Sequence, residues 1–388
     1  MANRSRIEWC DATWNPVVGC SPVSAGCDHC YAARMAHRLG KNPATPQFAD
    51  LTVDGKWTGE TRFVQGALNL PITWRKPKRI FVCSMGDLFH ESVPFAWVDQ
   101  VFAVMALARQ HTFLVLTKRT ERMRAYFDEK RASRAGEAAY HMVVDALHGD
   151  KRTALGAGLM LQDDGSLELW PLPNVWLGVT AENQEQAVAR IPILLETPVA
   201  KRFVSVEPML GPVDLRCLHV PDALLDPFGD RWCTTWDALD GTRGVSPFGK
   251  NDPFTGPKGS HLDWVICGGE TGPSARPANP EWVRSLRDQC FKTSDVPFFF
   301  KQWGEWAPSD NFPSDTPFKH WKEFLSGVDE PQRLALRGWD YDANAKKFGE
   351  KVAYGPFTLV VKAGRHRAGR LLDKEEWAYF PGDPYVPF

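Results

Sequence analysis

The sequence predicts an α/β fold, a partial or full (β/α) barrel with parallel strands. Two observations predict it. Short apolar segments alternate with helical patterns along most of the 388 residues. Most of these segments are continuously apolar, which is typical of strands buried on both faces of a parallel sheet. A chain of this length and apolar content can bury a large core, in one elaborate domain or two.

Seven segments have the length and composition of strands. They are Trp14–Val18, Arg79–Cys83, Thr112–Thr117, Val175–Thr180, Arg202–Glu207, Trp264–Cys267 and Pro297–Lys301. Five helical patterns lie between them, at Ala32–Leu39, Phe95–Arg109, Thr120–Lys130, Asn183–Leu195 and Pro280–Cys290. Asn183 and Pro280 suit a helix start. The alternation predicts parallel strands joined by right-handed crossovers.

Domain boundaries are expected where this alternation stops. We predict a barrel domain over residues 5–306 and an irregular extension over residues 307–388 that packs on the barrel. Two long insertions, at about residues 131–173 and 215–262, interrupt the barrel. Both are longer than one crossover needs, and the second is rich in glycine and proline. Each is therefore either a lid or binding loop, or a flexible ornament.

Composition excludes several classes of protein. The formal net charge is −1, so the chain lacks the global basic surface that tight, non-specific duplex binding needs. Nine cysteines, an odd number in a long chain, do not form a typical secreted disulfide framework. No apolar run is long enough to span a membrane, and the N-terminus lacks the apolar region of a signal peptide. We therefore predict a cytoplasmic protein without membrane contact.

The most informative motif is a loop with three cysteines, Cys20, Cys27 and Cys30. Three thiolates can hold three irons of a [4Fe–4S] cluster and leave the fourth iron open for a ligand. The alternatives are a zinc knuckle completed by a ligand from elsewhere, or three unconnected thiols. Cys10 is close enough in sequence to be a fourth ligand, but a closed cluster would lose its open iron.

Polar side chains follow the predicted strands at their carboxyl ends, where parallel α/β folds bind ligands. They are Ser84, Asp87, Lys118, Thr180, Glu182, Ser205, Glu207, Glu270, Lys301, Gln302 and Trp303. Any one of them could be an ordinary loop residue or helix cap. A charged residue directly after an apolar strand needs a partner. Glu270 and Lys301 are therefore expected either to face a substrate or to pair with each other.

These motifs together resemble the radical S-adenosylmethionine superfamily. The similar segments include Gly26-Cys27-Asp28-His29-Cys30-Tyr31-Ala32, Ser84-Met85-Gly86-Asp87, Leu116-Thr117-Lys118-Arg119, Ser205-Val206-Glu207-Pro208, Gly268-Gly269-Glu270-Thr271-Gly272 and Phe300-Lys301-Gln302-Trp303-Gly304. The resemblance is to a phage-associated branch of unknown function with a three-cysteine motif and, more distantly, to spore photoproduct lyases. The first cysteine gap is six residues here, whereas three is common in the superfamily.

The resemblance implies a barrel of the radical S-adenosylmethionine type, a [4Fe–4S] cluster on the three cysteines, S-adenosylmethionine as cofactor and an external electron donor. It implies a 5′-deoxyadenosyl radical that abstracts hydrogen from a substrate. By matching strand ends, Ser84 and Asp87 would face the methionine amino group, Tyr31 the adenine, and Thr180, Glu182, Ser205 and Glu207 the ribose or sulfonium. Lys301 and Glu270 would be catalytic, and Lys118, Arg276, Gln302 and Trp303 would face the substrate.

The substrate that the resemblance suggests is a nucleobase, a nucleotide or a nucleic acid, and a partner protein could deliver it. Two alternatives stay open. One is radical modification of a small metabolite or peptide. The other is a zinc- or cluster-stabilised nucleic-acid-binding module without catalysis.

Overall fold

The computed structural model describes residues 5, 7–128, 171–220, 233–246, 258–293, 296–312, 321–325 and 357–383. Its main sheet has seven strands, which lie side by side in the order of the sequence. They are β1 (Ala12–Trp14), β2 (Arg79–Val82), β3 (Thr112–Thr117), β4 (Val175–Thr180), β5 (Lys201–Val206), β6 (Trp264–Gly268) and β7 (Phe298–Gln302). The pairs β1–β2, β2–β3, β3–β4 and β6–β7 are parallel. The predicted α/β class is confirmed, and the sheet corresponds to part of a (β/α) barrel.

The first predicted strand, Trp14–Val18, is wrong as a single element. Strand β1 ends at Trp14, and Val17–Val18 pairs antiparallel with Arg62–Phe63 in a separate small sheet. Pro16, between the two segments, has no N–H for a strand ladder. The side-chain oxygen of Asn15 accepts a hydrogen bond from the Met85 N–H at 2.9 Å instead. The chain therefore leaves the sheet at Asn15 and runs toward the cysteine loop.

Among the described residues, five helices occupy the predicted segments, and three additional helices are only four residues long. They are α1 (Tyr31–Gly40), α2 (Gln65–Leu68), α3 (Leu70–Thr73), α4 (Phe95–Leu107), α5 (Thr120–Phe127), α6 (Gln184–Glu196), α7 (Pro280–Thr293) and α8 (Arg365–Ala368), with a short antiparallel pair, Thr52–Val53 and Lys56–Trp57, after α1. Helix α5 ends earlier than predicted, because Asp128 has an extended backbone. No helix in the described ranges has the length and apolar character needed to cross a bilayer.

The chain divides into two compact units. The first comprises Met1–Thr180, Ala189–Val204 and Gly259–Asp263. Its core contains Trp14 against Phe113, with ring centroids 5.7 Å apart, and a cluster of aromatic rings around Tyr126. Gly178 in β4 leaves room for the Phe203 ring, which a Cβ at that position would approach to 2.4 Å.

The second unit comprises Ala181–Val188, Ser205–Lys258 and Trp264–Phe388. It contains two three-stranded antiparallel sheets and a two-stranded one. Their strands are Leu218–Val220, Cys233–Trp236 and Arg243–Ser246; Trp306–Pro308, Trp321–Leu325 and Phe357–Lys362; and Leu371–Leu372 and Glu375–Glu376.

Within the second unit, the C-terminal segment packs on β6 and β7. Phe300 N–H donates to the Trp377 carbonyl at 2.7 Å, and Trp264 Nε1 donates to the Tyr379 carbonyl at 2.8 Å. The second predicted insertion, 215–262, contains the first of the antiparallel sheets. The first insertion, 131–173, lies outside the described residues except for residues 171–173.

Candidate functional site

The cysteine loop begins where two glycines pack closely in the first unit. Gly19 has a φ of +95°, and a Cβ there would lie 2.1 Å from the Glu60 carbonyl oxygen. Its N–H donates to the Met85 carbonyl at 3.0 Å, and Gly19 also bridges to Gly86. Only glycine fits this left-handed, crowded position. The glycine therefore fixes the start of the loop against the residues that follow β2.

All three cysteines of the loop are partly exposed. Cys27 ends a short 3-10 helix, Ala25–Cys27, and Cys30 is the N-cap residue of α1. Cys20 and Cys30 are near enough for their charges to interact. Burial, followed by the negative charge of Asp87, raises the pKa of Cys20 to about 12. The free thiol of Cys20 is therefore protonated at neutral pH.

Two consecutive cations after β3 contact two of these sulfurs. Lys118 Nζ lies 3.7 Å from Cys27 Sγ and 3.4 Å from Ser24 Oγ. Arg119 Nη1 lies 3.5 Å from Cys20 Sγ. A cation at hydrogen-bond distance stabilises a thiolate over a thiol. The end of β3 thus supplies positive charge to the cysteine loop.

Arg119 is buried and binds several groups at once. Its Nη1 donates to Asp87 Oδ2 at 3.1 Å, and its Nε donates to Glu91 Oε2 at 2.9 Å. Its Nη2 donates to the carbonyl and the hydroxyl oxygens of Ser21, at 2.9 and 2.8 Å. Arg119 therefore links the cysteine loop to the ends of β2 and β3.

Asp87, which was predicted to face the methionine amino group, accepts hydrogen bonds from other residues of the chain. Thr117 Oγ1 lies 2.8 and 3.0 Å from its two carboxylate oxygens. The N–H groups of Phe89 and Lys118 also donate to it, at 3.0 and 3.3 Å. Because both oxygens already have donors, Asp87 orders the turn that carries Lys118 and Arg119.

Ser84 and Tyr31 lie at the same site. Ser84 Oγ donates to Asn15 Oδ1 at 3.2 Å, and Tyr31 Oη donates to the Ser84 carbonyl at 3.0 Å. Tyr31 is 41% exposed although its hydroxyl is hydrogen-bonded. The structure thus brings seven predicted residues to one region of the first unit: Cys20, Cys27, Cys30, Tyr31, Ser84, Asp87 and Lys118. Thr180 is also in the first unit, where its carbonyl accepts from Arg190 Nη1 at 2.7 Å.

Sequence reasoning missed Arg119, Ser21 and His90 as site residues. His90 Nε2 lies 2.8 Å from Ser21 Oγ, and His90 Nδ1 lies 2.9 Å from Ser92 Oγ. Burial, and then the charge of Arg119, lowers the pKa of His90 below its usual value. The only signal in the sequence is adjacency, since Ser21 follows Cys20 and Arg119 follows Lys118.

A closed single-ion site is not formed by the described residues. In those ranges, no three His, Cys, Asp or Glu side chains stand in an arrangement that could hold a metal ion. Cys10, the other candidate ligand, is buried, and its Sγ lies 3.2 Å from Ser5 Oγ. The donor set at the loop is therefore three partly exposed thiols with two cations beside them.

The second unit carries a separate polar cluster at the ends of β5, β6 and β7. Lys301 Nζ lies 2.5 Å from Glu207 Oε1. Glu270 instead binds Arg276, whose Nη2 and Nε donate to its two oxygens at 2.7 and 3.0 Å. The alternative in which Glu270 and Lys301 pair with each other is therefore wrong. The Glu207 side chain packs closely on Gly268, since a Cβ there would lie only 3.3 Å from Glu207 Cδ.

The remaining predicted site residues of the second unit are buried, and several of them form hydrogen bonds within that unit. Trp303 is almost completely buried, its Nε1 donates to the Leu371 carbonyl at 2.8 Å, and its ring packs on Phe300. The prediction that Trp303 stacks on a ligand is corrected, because no face of the ring is open. Gln302 accepts from Arg365 Nε at 2.8 Å. Glu182 and Ser205 are almost fully buried.

The fold and the site define a mixed α/β protein with a three-cysteine loop near the ends of parallel strands. The chain belongs to the family described as Protein of unknown function (DUF5131), which matches residues 4–381. The comparisons with curated proteins and with solved structures each find no match.

Proposed function

We propose that this protein is a radical S-adenosylmethionine enzyme whose [4Fe–4S] cluster is held by Cys20, Cys27 and Cys30. The observation that carries the proposal is the loop of three partly exposed thiols with Lys118 at one sulfur and Arg119 at another. Cationic and N–H donors at sulfur stabilise thiolates and help to set the potential of an iron–sulfur centre. A structural zinc site takes four ligands, so zinc would need one more ligand than these three cysteines.

The chain's own residues would prepare this site. Arg119 holds Cys20 next to Asp87, and Lys118 neutralises charge at Cys27. A reduced cluster held by the three cysteines would supply the electron for cleavage of S-adenosylmethionine to methionine and a 5′-deoxyadenosyl radical, and this radical would remove a hydrogen atom from the substrate.

We propose that the polar cluster of the second unit serves the substrate. Lys301 and Glu207 form a charged pair with side chains 10% and 18% exposed. Such a pair can exchange partners with a charged ligand, because phosphates and carboxylates bind lysine by charge-assisted hydrogen bonds. A nucleobase or nucleotide is the substrate class that we favour. The net charge of −1 supports a small or single-stranded ligand over a long duplex.

The test is anaerobic purification and reconstitution of the full chain with iron and sulfide. We expect a brown protein with about four irons and four sulfides. It should release 5′-deoxyadenosine from S-adenosylmethionine under strong reductant. Cys20→Ala, Cys27→Ala and Cys30→Ala should each lose the visible absorption, whereas Cys10→Ala should keep it. A colourless zinc protein, or a cluster that never cleaves the cofactor, would favour the binding-module alternative.

A further inference from the structure

Helix α1 carries an exposed apolar and basic surface directly beside the cysteine loop. Val23, in the loop, and Tyr31 and Met35, on the helix, are 44%, 41% and 40% exposed. Arg38 and Lys41 are exposed at the end of the same helix. We call these five residues the α1 surface.

Val23, Tyr31 and Met35 are not among the buried hydrophobic residues of the core. The opposite face of α1 is formed by Ala32, Ala33 and Ala36, which are buried. Two of these alanines pack in a cluster with Val18, Phe48, Leu51 and Met85. Residues 31, 35 and 38 recur at helical spacing on the outer face. Adjacent exposed apolar side chains on one face are a feature of interaction sites.

Basic residues predominate along the helix part of this surface, and the nearest acidic residues in the sequence are the exposed Asp28 and Asp50 on either side of it. From Cys30 to Ala49 the sequence contains Arg34, His37, Arg38 and Lys41 and no aspartate or glutamate. The helix macrodipole favours cations in the last turn, which accounts for part of the pattern at Arg38 and Lys41. It does not account for the absence of acidic residues along the whole segment. The charge of this face complements an acidic partner.

We propose that the α1 surface docks an acidic electron-transfer protein that reduces the cluster. This inference rests on the function proposed above. Helix α1 starts at the residue after Cys30, so Met35 lies only about 7 Å along the helix axis from that ligand. One electron leaves the reduced centre of the donor and enters the oxidised cluster, and no bond forms or breaks. Electron transfer weakens steeply with distance, so a docking face beside the ligand loop is where a donor must bind.

The composition of the surface favours a protein over a nucleic acid. Tyrosine, methionine and arginine are enriched at protein interfaces, and an apolar centre with a polar rim is their usual arrangement. Tyr31 and Met35 are next to each other on the helix, with Arg38 and Lys41 beyond them. Weak electron-transfer encounters also bury small areas, which one helix face and a loop residue can supply.

The experiment uses the reconstituted full chain and a reduced, negatively charged plant-type [2Fe–2S] ferredoxin as the probe. The rate of cluster reduction is followed anaerobically by absorbance, at low and high salt. The test variant is Arg38→Glu/Lys41→Glu. The matched control is Arg75→Glu/Lys76→Glu, which changes the same residue types and the same charge at exposed positions elsewhere in the first unit.

We expect the test variant to lower the second-order rate constant at low salt by about tenfold or more, because rim charges act mainly on association. High salt should slow the wild type and abolish most of the difference. The control variant should stay within about twofold of the wild type. If the test variant folds poorly, Arg38→Gln/Lys41→Gln and Met35→Ser provide milder changes, each of which should slow reduction.

Dithionite, a small reductant, separates the two proposals. A protein without a dithionite-reducible cluster would refute the proposed function. A cluster that dithionite reduces at equal rates in all variants, combined with ferredoxin rates that the test variant does not change, would overturn the docking inference alone. Loss of binding to a fluorescent single-stranded oligonucleotide with unchanged ferredoxin rates would likewise overturn it and assign the surface to nucleic acid.

Discussion

Arg119 and Asp87 form an ion pair, 3.1 Å long, whose side chains are 4% and 7% exposed. Removing one partner of such a pair leaves an uncompensated buried charge. We expect Arg119→Met to lower the free energy of unfolding of the metal-free protein by about 3 kcal/mol, measured by urea denaturation. Arg119→Met combined with Asp87→Leu should recover much of this loss. A single variant that loses less than about 1 kcal/mol would contradict the pairing.

Gly19 and Gly59 provide a matched pair of glycines. Their φ angles are +95° and +92°, but a Cβ would clash with the Glu60 carbonyl only at Gly19, and nothing lies within 4 Å of one at Gly59. Gly59→Ala should therefore cost only the left-handed backbone penalty of about 1–2 kcal/mol. Gly19→Ala should cost clearly more and should impair cluster reconstitution. Equal melting temperatures for the two variants would contradict this prediction, because they would mean that the backbone moves to avoid the clash with the Glu60 carbonyl.

The shifted pKa of His111 leads us to expect a lower free energy of unfolding at acidic pH. Burial lowers the pKa of His111, although its hydrogen bonds to the backbone oppose this effect. The folded state favours the neutral ring of His111. Its contribution to the free energy of unfolding is therefore complete above the pKa of the unfolded state, about 6.5, and is lost as the pH falls from there through the pKa of the folded state. We expect His111→Gln to flatten the decline in unfolding free energy between about pH 7 and 5. Parallel pH curves for the variant and the wild type would contradict this.

Two variants can distinguish a structural role of the Lys301–Glu207 pair from a role in substrate binding. Lys301→Met leaves Glu207 without its partner and should lower the melting temperature, and Glu207→Leu in the same chain should restore it. If the pair also serves the substrate, the double variant should keep its cluster and release 5′-deoxyadenosine but lose substrate-dependent turnover. A double variant with full stability and full turnover would remove the pair from the proposed substrate site.

Strands β2 to β7 of the main sheet and the five longer helices could be predicted from the sequence to within a few residues, whereas the small antiparallel sheets were not predicted. Thr112–Thr117 and Val175–Thr180 agree to the residue, because continuous apolar runs with polar ends specify buried strands. The first strand failed because Pro16 interrupts a run of apolar residues that belongs to two sheets.

The partners of the charged residues could not be predicted. Arg119 is part of a local basic pair in the sequence, a pattern typical of surface, but its partners Asp87, Glu91 and Ser21 come from other segments. Local pattern contains no information about such distant contacts. Lys301 pairs with Glu207 and not with Glu270, because Arg276 binds both carboxylate oxygens of Glu270.

Ser21 has a consequence for whatever binds beside Cys20. Ser92 N–H donates to His90 Nδ1 at 3.2 Å, so the proton of the neutral ring is on Nε2 and points to Ser21 Oγ. Arg119 Nη2 donates to the same oxygen. A hydroxyl has two lone pairs, and both are now taken. The hydroxyl hydrogen is the only hydrogen-bonding function that the Ser21 side chain has left. A ligand atom next to Cys20 can therefore accept a hydrogen bond from Ser21, whereas a third donor would find no free lone pair there.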